Sequence, residues 1–181
     1  MTVSVIVPAK PYTDDIERAQ VIKDQLSNYV DFIVSTEGDH PATARNEGAR
    51  KARGTNLLFI DADMNIPKLD CNYLESFNYD LATAMYTSEY DSIPIVAQNV
   101  FALTGNPFSF YGGFMWVRSH IFTRLNGFRR MPAEDVEFAN RAWKLGYRIE
   151  VFPFYVEHTR RFRWANAIGP TVTEEGIWGI P

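Results

Sequence analysis

The sequence predicts an α/β fold with a mostly parallel central sheet flanked by helices. Three short segments, residues 3–7, 31–35 and 57–60, are rich in Val, Ile, Leu and Phe and have the length of buried strands. Two segments with helical spacing of apolar residues lie between them. This β-α-β-α-β order favours parallel strands joined by right-handed crossovers. Because ligands of such sheets bind beyond the carboxyl ends of the strands, the residues at those ends are the first candidates for a site.

The elements of the first half follow from local signals. Pro8 ends the first strand, and the Asp-x-x-Glu pattern at residues 14–17 is typical of a capping box. The helix that begins there is predicted to reach about residue 29, and its apolar face is expected to contain Ile16, Ala19, Ile22 and Leu26. After the second strand, a second helix is predicted over residues 42–53, with Gly54 as its stop.

The second half is less regular. We predict a strand over residues 93–101, where Pro94 favours an edge position. The remaining predicted elements are a strand over residues 111–117, a helix from Ser119 to Gly127, a helix over residues 134–145, and strands over residues 148–152 and 155–158. No linker or repeat separates the halves, so residues 1–181 are expected to form a single domain with a smaller mixed second half.

Composition narrows the class of protein. The 181 residues are 46% hydrophobic and 22% charged, which is typical of one globular domain. A net charge of −4 argues against a nucleic-acid partner. The single cysteine, Cys71, excludes an intramolecular disulfide and suits a reducing compartment. Without a signal-peptide pattern or an apolar run of about 20 residues, we expect a cytoplasmic protein with at most peripheral membrane contact. The expected oligomeric state is a monomer or a homodimer.

Two carboxylates follow the third strand directly. The run at residues 57–60 ends in Asp61-Ala62-Asp63, and alternation along an extended chain places both acids on the same side. Their repulsion is relieved by a divalent cation, and Mg²⁺ prefers one or two carboxylates with substrate phosphates in its shell. Acids are also common in turns. A haloacid-dehalogenase-type phosphatase is set aside, because Asn65 stands where that family usually has Thr or Val.

Another acid begins the last predicted helix. Asp135 shares a helical face with Phe138, Ala139, Ala142 and Trp143, whereas Glu137, Arg141 and Lys144 face outward. An inward carboxylate at a pocket wall is a candidate general base, because a low dielectric raises its affinity for protons. The alternative is that first-turn acids only complement the helix dipole, which would suffice for Glu134.

Each of the remaining candidate site residues has a structural explanation as well as a functional one. His158 follows a predicted strand and could complete a metal shell or be structural. Arg160 and Arg163 could hold phosphate oxygens or form a solvated basic edge. Arg45 could turn towards a nucleotide or stay in solvent. The Gly112–Gly113 pair allows the backbone to approach a ligand, or simply permits a bend.

Together these motifs occur in the order found in family 2 glycosyltransferases with a GT-A fold, which the chain resembles. The matching segments are residues 3–8, 44–54, 59–63, 112–114, 125–128 and 134–135, so the resemblance covers nearly the whole chain to about Trp164. It implies a single GT-A-like domain with a Rossmann-like sheet. Residues of about 1–100 would bind a nucleotide-diphosphate sugar, and residues of about 101–181 would bind the acceptor and hold the base.

The resemblance also implies an inverting sugar transfer that uses Mn²⁺ or Mg²⁺, with a sugar, a lipid-linked molecule or a protein as acceptor. Asp135 would be the general base, and Asp61, Asp63 and His158 would serve the metal, with Asp61 alternatively facing the ribose. The nucleotide-sugar site would comprise Pro8, Ala9, Lys10, Thr36, Glu37, Arg45, Asp61 and Ala62. Gly112, Gly113, Phe114 and Glu134 would shape the donor-sugar and acceptor pocket, and Arg160 and Arg163 would contact phosphate.

Departures from the family pattern leave alternatives open. Thr36 stands where relatives commonly carry the first acid of Asp-Asp-Gly-Ser, so the base of the nucleotide is not fixed. The Arg160-x-x-Arg163-Trp164 element resembles that of processive synthases, whose membrane helices have no counterpart in this sequence. A non-catalytic sugar-nucleotide-binding or partner-binding module on the same fold is the alternative function. The apolar residues near the end of the chain could pack on the core, contact a second subunit or touch a lipid acceptor.

Overall fold

A seven-stranded sheet lies at the centre of the part of the chain that the structure describes. The structure is a computed structural model, and it describes residues 2–11, 13–88, 92–107, 110, 112–159, 172–173 and 176–177. In chain order the elements are β1 (Val3–Pro8), α1 (Asp15–Gln25), β2 (Leu26–Ser27), β3 (Asp31–Ser35), α2 (Pro41–Lys51), β4 (Asn56–Ile60), β5 (Met64–Asn65), β6 (Leu69–Asp70), α3 (Cys71–Ser76), β7 (Leu81–Thr87), α4 (Ser92–Leu103), β8 (Phe114–Arg118), α5 (Ser119–Arg124), α6 (Glu134–Lys144), β9 (Ile149–His158), β10 (Val172–Thr173) and β11 (Gly176–Ile177).

The first half of the sheet is parallel, as the sequence predicted. β1 lies between β3 and β4, with Ile6 opposite Phe59 and Pro8 opposite Ser35. The carboxyl ends of all three strands therefore meet at one edge. The segments that leave this edge begin at Ala9, Thr36 and Asp61, which brings three predicted site regions together.

The second half of the sheet is mixed. β8 runs antiparallel to both β4 and β7, β9 is parallel to β7, and β5 pairs antiparallel with β9 at the edge. Ile60 lies opposite Phe114, so the residues just before β8 meet those just after β4. This antiparallel insertion carries Gly112 and Gly113 to the exit of β4.

Two apolar cores cover the two faces of the sheet. Along β1, Val5 and Val7 belong to the core under α1, whereas Ile6 belongs to the core that contains Phe138 of α6. The α/β architecture with helices on both faces confirms the predicted fold class. Phe114 is 0% exposed and its side chain packs in the first core, so its place beside a ligand pocket stays a prediction.

Three predicted strands have different structures. Residues 93–101 belong to helix α4, where Pro94 is the third residue and its missing N–H needs no partner. Residues 148–152 and 155–158 are parts of one strand, β9, rather than two. Thr83 lies opposite Val151 and Met85 opposite Tyr155, so an irregularity in β9 accommodates the intervening proline.

The predicted helices are present with shorter bounds. α1 ends at Gln25, where the chain enters β2, and Ile16 is 49% exposed instead of buried. α2 ends at Lys51, and Gly54 is required by packing, because a Cβ there would lie 2.5 Å from the Ser4 nitrogen. Trp143 on α6 is 56% exposed, which corrects its placement on the buried face.

Within the described residues, every helix is too short or too polar to cross a membrane.

Candidate active site

The exit of β4 is fixed by backbone hydrogen bonds across the sheet. The Asp61 N–H donates to the Gly113 carbonyl at 3.2 Å, and the Met64 N–H donates to the Asp61 carbonyl at 3.1 Å. The chain thus turns sharply after Ile60, and the Asp61 side chain is only partly exposed. The site begins where β4 leaves the sheet beside the start of β8.

A buried guanidinium joins this exit to α6. Arg45 on α2 is 3% exposed, and its Nη2 donates to Oδ1 of Asp61 at 2.7 Å. Its Nη1 donates to Oε1 of Glu134, and the guanidinium carbon lies 5.7 Å from the centre of the Phe128 ring. Of the two alternatives for Arg45, the solvent-exposed one is wrong. The side chain is instead fixed between two carboxylates.

Asp135 is held by the backbone. Its Oδ2 accepts from the Gly112 N–H at 2.7 Å, and its Oδ1 accepts from the Val136 N–H at 2.8 Å. The residue is 8% exposed, which confirms that an acid begins the buried face of this helix. Ala133, just before α6, has a left-handed backbone with φ of 52°, a conformation that an L-residue adopts only when its surroundings enforce it. This turn directs the first residues of α6 inward.

Gly112 lies where the charged side chains converge. A Cβ added to it would lie 2.6 Å from Nη2 of Arg45, 3.1 Å from Oδ2 of Asp61 and 3.3 Å from Oδ2 of Asp135. Both carboxylates therefore approach one point from different elements. The absence of a side chain at Gly112 is what allows this approach, so its packing explains the glycine better than a bend does.

Burial and charge change the proton affinities of these groups. Burial opposes the charged form of Arg45, but the carboxylates of Asp61 and Glu134 outweigh it and raise the pKa of Arg45. Burial raises the pKa of Asp61 to about 6, although Arg45 acts in the opposite direction. Burial also raises the pKa of Asp135, again against the effect of Arg45. A carboxylate with a raised pKa next to a fixed cation is suited to accepting a proton near neutral pH.

Asp63 lies beside His158 on the neighbouring strand. Because Met64 pairs with His158, the His158 Nε2 comes within 3.5 Å of Oδ2 of Asp63. Among the described residues no third His, Cys, Asp or Glu completes a metal-binding group with them. One carboxylate and one imidazole nonetheless fit a Mn²⁺ or Mg²⁺ site, because such ions bind few protein ligands and take the rest from phosphate and water.

The other predicted residues fall into two groups. Pro8, Ala9, Lys10, Thr36 and Ala62 lie where β1, β3 and β4 leave the sheet. Glu37 turns towards α2 instead, where its carboxylate lies 2.8 Å from Nζ of Lys51, and the Lys51 hydrogen bond lowers the pKa of Glu37. The predicted phosphate ligands Arg160 and Arg163 lie outside the described residues, as does Trp164.

Sequence reasoning missed the connections between these residues. The Arg45–Glu134 ion pair joins positions 89 residues apart, and no local pattern predicts it. The contact of Thr159 with Asp63 was not predicted either. The Thr159 N–H and hydroxyl both donate to the Asp63 carbonyl, at 2.9 and 2.7 Å. Its position next to His158 was the only available signal.

Comparison with known proteins is consistent with this arrangement. Residues 58–168, more than half of the chain, match a family model described as glycosyl transferase family group 2. The matched segment contains the described site residues from Asp61 to His158. No curated protein matches the sequence significantly.

Several solved structures share the fold. The mannosyltransferase PcManGT from Pyrobaculum calidifontis, in complex with GDP-Man and Mn²⁺, has a TM-score of 0.62 at 17% identity over 87% of this chain and 56% of its own. TarS 1-349 of S. aureus, in complex with UDP-GlcNAc, gives 0.63 at 18% identity over 90% of this chain and 60% of its own. The catalytic domain of Drosophila beta1,4galactosyltransferase 7, in complex with xylobiose, has a TM-score of 0.54 at 16% identity over 83% of this chain and 64% of its own. The chain spans less than two thirds of each of these structures.

Proposed function

Because the chain belongs to glycosyl transferase family group 2, we propose that it transfers a sugar from a nucleotide-diphosphate sugar to an acceptor hydroxyl, with inversion at the anomeric carbon. The observation that carries this proposal is the approach of Asp61 and Asp135 to one point at Gly112. The similar structures solved with GDP-Man and UDP-GlcNAc support a nucleotide sugar as donor.

Asp135 is the proposed general base. In the reaction, the acceptor oxygen forms a bond to the anomeric carbon while the bond from that carbon to the diphosphate oxygen breaks. The acceptor proton passes to the Asp135 carboxylate, and the nucleoside diphosphate leaves. The backbone hydrogen bonds from Gly112 and Val136 fix the carboxylate, so that it needs no reorientation to accept the proton.

Arg45 is the proposed positioning residue of the site. Its ion pairs with Asp61 and Glu134 hold the strand exit and the start of α6 at a constant separation. Glu134 therefore acts on the structure of the site rather than on the acceptor. Through its charge, Arg45 also moderates the rise in the pKa of Asp135 that burial produces.

Asp63 and His158 would hold the divalent cation. When bound, such a cation neutralises charge on the diphosphate and on the leaving group. The nucleoside would lie over the exits of β1 and β3, where Pro8, Ala9, Lys10 and Thr36 border the edge of the sheet. In this arrangement the nucleoside site belongs to the first half of the chain, whereas His158 and the base belong to the second.

A donor screen tests the proposal. Purified protein is incubated with UDP- and GDP-linked sugars, with Mn²⁺ or with EDTA, and free nucleoside diphosphate is measured with and without simple sugar acceptors. We expect metal-dependent release from at least one donor. Calorimetry measures donor binding in parallel. Donor binding without turnover on any acceptor would favour a non-catalytic module, and the absence of any donor binding would refute the proposal.

A further inference from the structure

Arg18 lies close to the Asp63–His158 pair, through a contact with Thr159. Arg18 is in the first turn of α1, where its Nε donates to Oδ2 of Asp14 at 2.6 Å. Its Nη1 donates to Oγ1 of Thr159 at 3.2 Å, across 141 positions of sequence. The side chain remains 38% exposed. The guanidinium thus connects α1 with the residue that follows His158.

Thr159 links Arg18 to the backbone of Asp63. Its hydroxyl accepts from Arg18 and donates to the Asp63 carbonyl at 2.7 Å. The Asp63 side chain faces His158. Arg18 is therefore separated by one hydroxyl group from the turn that carries the proposed metal ligand, and it contributes a positive charge beside that turn.

Three other arginines, Arg45, Arg129 and Arg130, are bound to acids elsewhere. Arg45 is enclosed by Asp61 and Glu134, and it is too buried to reach a ligand beyond them. Arg129 binds Glu137 at 2.9 Å, and Arg130 binds Asp39 at 2.6 Å. Arg18 also has an acidic partner, but that pair is exposed to water on both sides and so neutralises the guanidinium only weakly.

From this placement we infer that Arg18 binds a phosphate group of the ligand held at Asp63 and His158, and that this group is the terminal phosphate of a nucleoside diphosphate. The inference rests on the proposed function. A guanidinium fixed at Nε and Nη1 still presents N–H groups, and charge-assisted hydrogen bonds to phosphate are among the strongest that proteins make. Arg18 would thus belong to the donor site, although it lies on α1 rather than at a strand exit.

Calorimetry with paired nucleotides tests this inference. UDP and GDP are titrated into the full chain with Mn²⁺ present, and UMP and GMP are titrated in parallel. We expect Arg18→Gln to weaken binding of the diphosphate by about tenfold or more and to leave monophosphate binding within about twofold. Arg18→Lys should recover part of the loss, because it keeps the charge. Lys23→Gln, an exposed substitution on the same helix, is the matched control and should change neither affinity.

If Arg18 only stabilised the structure, its substitution would weaken mono- and diphosphate binding equally. Thr159→Val removes the hydroxyl contact but keeps the charge of Arg18, and thermal unfolding of each variant measures how much that contact stabilises the fold. Equal loss of mono- and diphosphate binding in Arg18→Gln would overturn the inference. So would a diphosphate affinity of Arg18→Gln equal to that of the unmodified chain. If the unmodified chain binds no nucleoside diphosphate, the proposed function fails as well.

Discussion

The guanidinium of Arg45 donates to Asp61 at 2.7 Å and to Glu134 with its other terminal nitrogen, so one buried cation joins the exit of β4 to the start of α6. Arg45 lies on α2, Asp61 follows β4 directly and Glu134 begins α6, and Arg45 is only 3% exposed. A buried charge is tolerated only when it is paired and hydrogen-bonded. The stability of the site and the position of its base therefore depend on the same side chain.

Replacing Arg45 should destabilise the fold strongly. Arg45→Met leaves Asp61 and Glu134 without their cation, and removing one partner of a buried pair costs about 3–5 kcal/mol. Urea unfolding at pH 7 measures the change. Arg45→Lys keeps the charge but cannot bind both carboxylates in the same planar geometry, so an intermediate loss is expected.

Arg50→Met is the control for that experiment. Arg50 lies on the same helix, and its ion pair with Glu47 is largely exposed on the arginine side. Its loss should cost no more than about 1 kcal/mol. Equal effects of the two methionine substitutions would contradict the role assigned to Arg45.

Gly112→Ala should reduce the transfer rate far more than Gly113→Ala does. The new methyl group would displace the Arg45 guanidinium and crowd both carboxylates, and a displacement of reacting groups by about 1 Å can cost a hundredfold in rate. Gly113→Ala is the matched comparison, because its methyl group would instead meet Sδ of Met64 at 2.7 Å and the Tyr86 ring at 2.9 Å. That variant should lose about 1–3 kcal/mol of stability. Transfer rates and urea unfolding of both variants check the contrast, and similar rates in the two would refute it.

Asp61 should make the protein less stable as the pH rises from about 4 to about 6. Burial raises its pKa from 3.8 to about 6, so within this window the folded state binds more protons than the unfolded state. The stabilisation is complete below the pKa of Asp61 in the unfolded state, and it is lost as the pH rises through its pKa in the folded state. The Asp61 side chain is 30% exposed, which limits the size of the effect.

Urea unfolding of the unmodified chain and of Asp61→Asn, at several values between pH 4 and pH 7, measures this dependence. The difference in unfolding free energy should shift in favour of the variant as the pH rises. Parallel profiles would show that Asp61 keeps an ordinary pKa.

The strand exits could be predicted from sequence because their signals are local. The runs that form β1, β3 and β4 are short and apolar, and turn residues end each of them, so the edge at Pro8, Ser35 and Ile60 follows. The inward position of Asp135 was also predictable, since helical spacing depends only on the residues of α6. The order of these motifs then indicated the family.

Other features depend on tertiary structure and could not be predicted. The apolar start of α4 fits a strand as well as a buried helix, and Pro94 is compatible with both. β7 was not predicted at all, because Leu81–Thr87 is mostly buried on both sides and shows no alternation. The partners of Arg45 were hidden for a different reason, since ion pairs between distant elements leave no periodic pattern in the sequence.

The most direct test of the account is the effect of Asp135→Asn on binding and on transfer, measured side by side. Calorimetry should give an affinity for the nucleoside diphosphate within about threefold of the unmodified chain, whereas the transfer rate should fall by about 10²–10⁴-fold. Asp24→Asn, an exposed acid on α1, should leave both values unchanged. Transfer by Asp135→Asn at the unmodified rate, with the fold intact, would contradict the assignment of the general base.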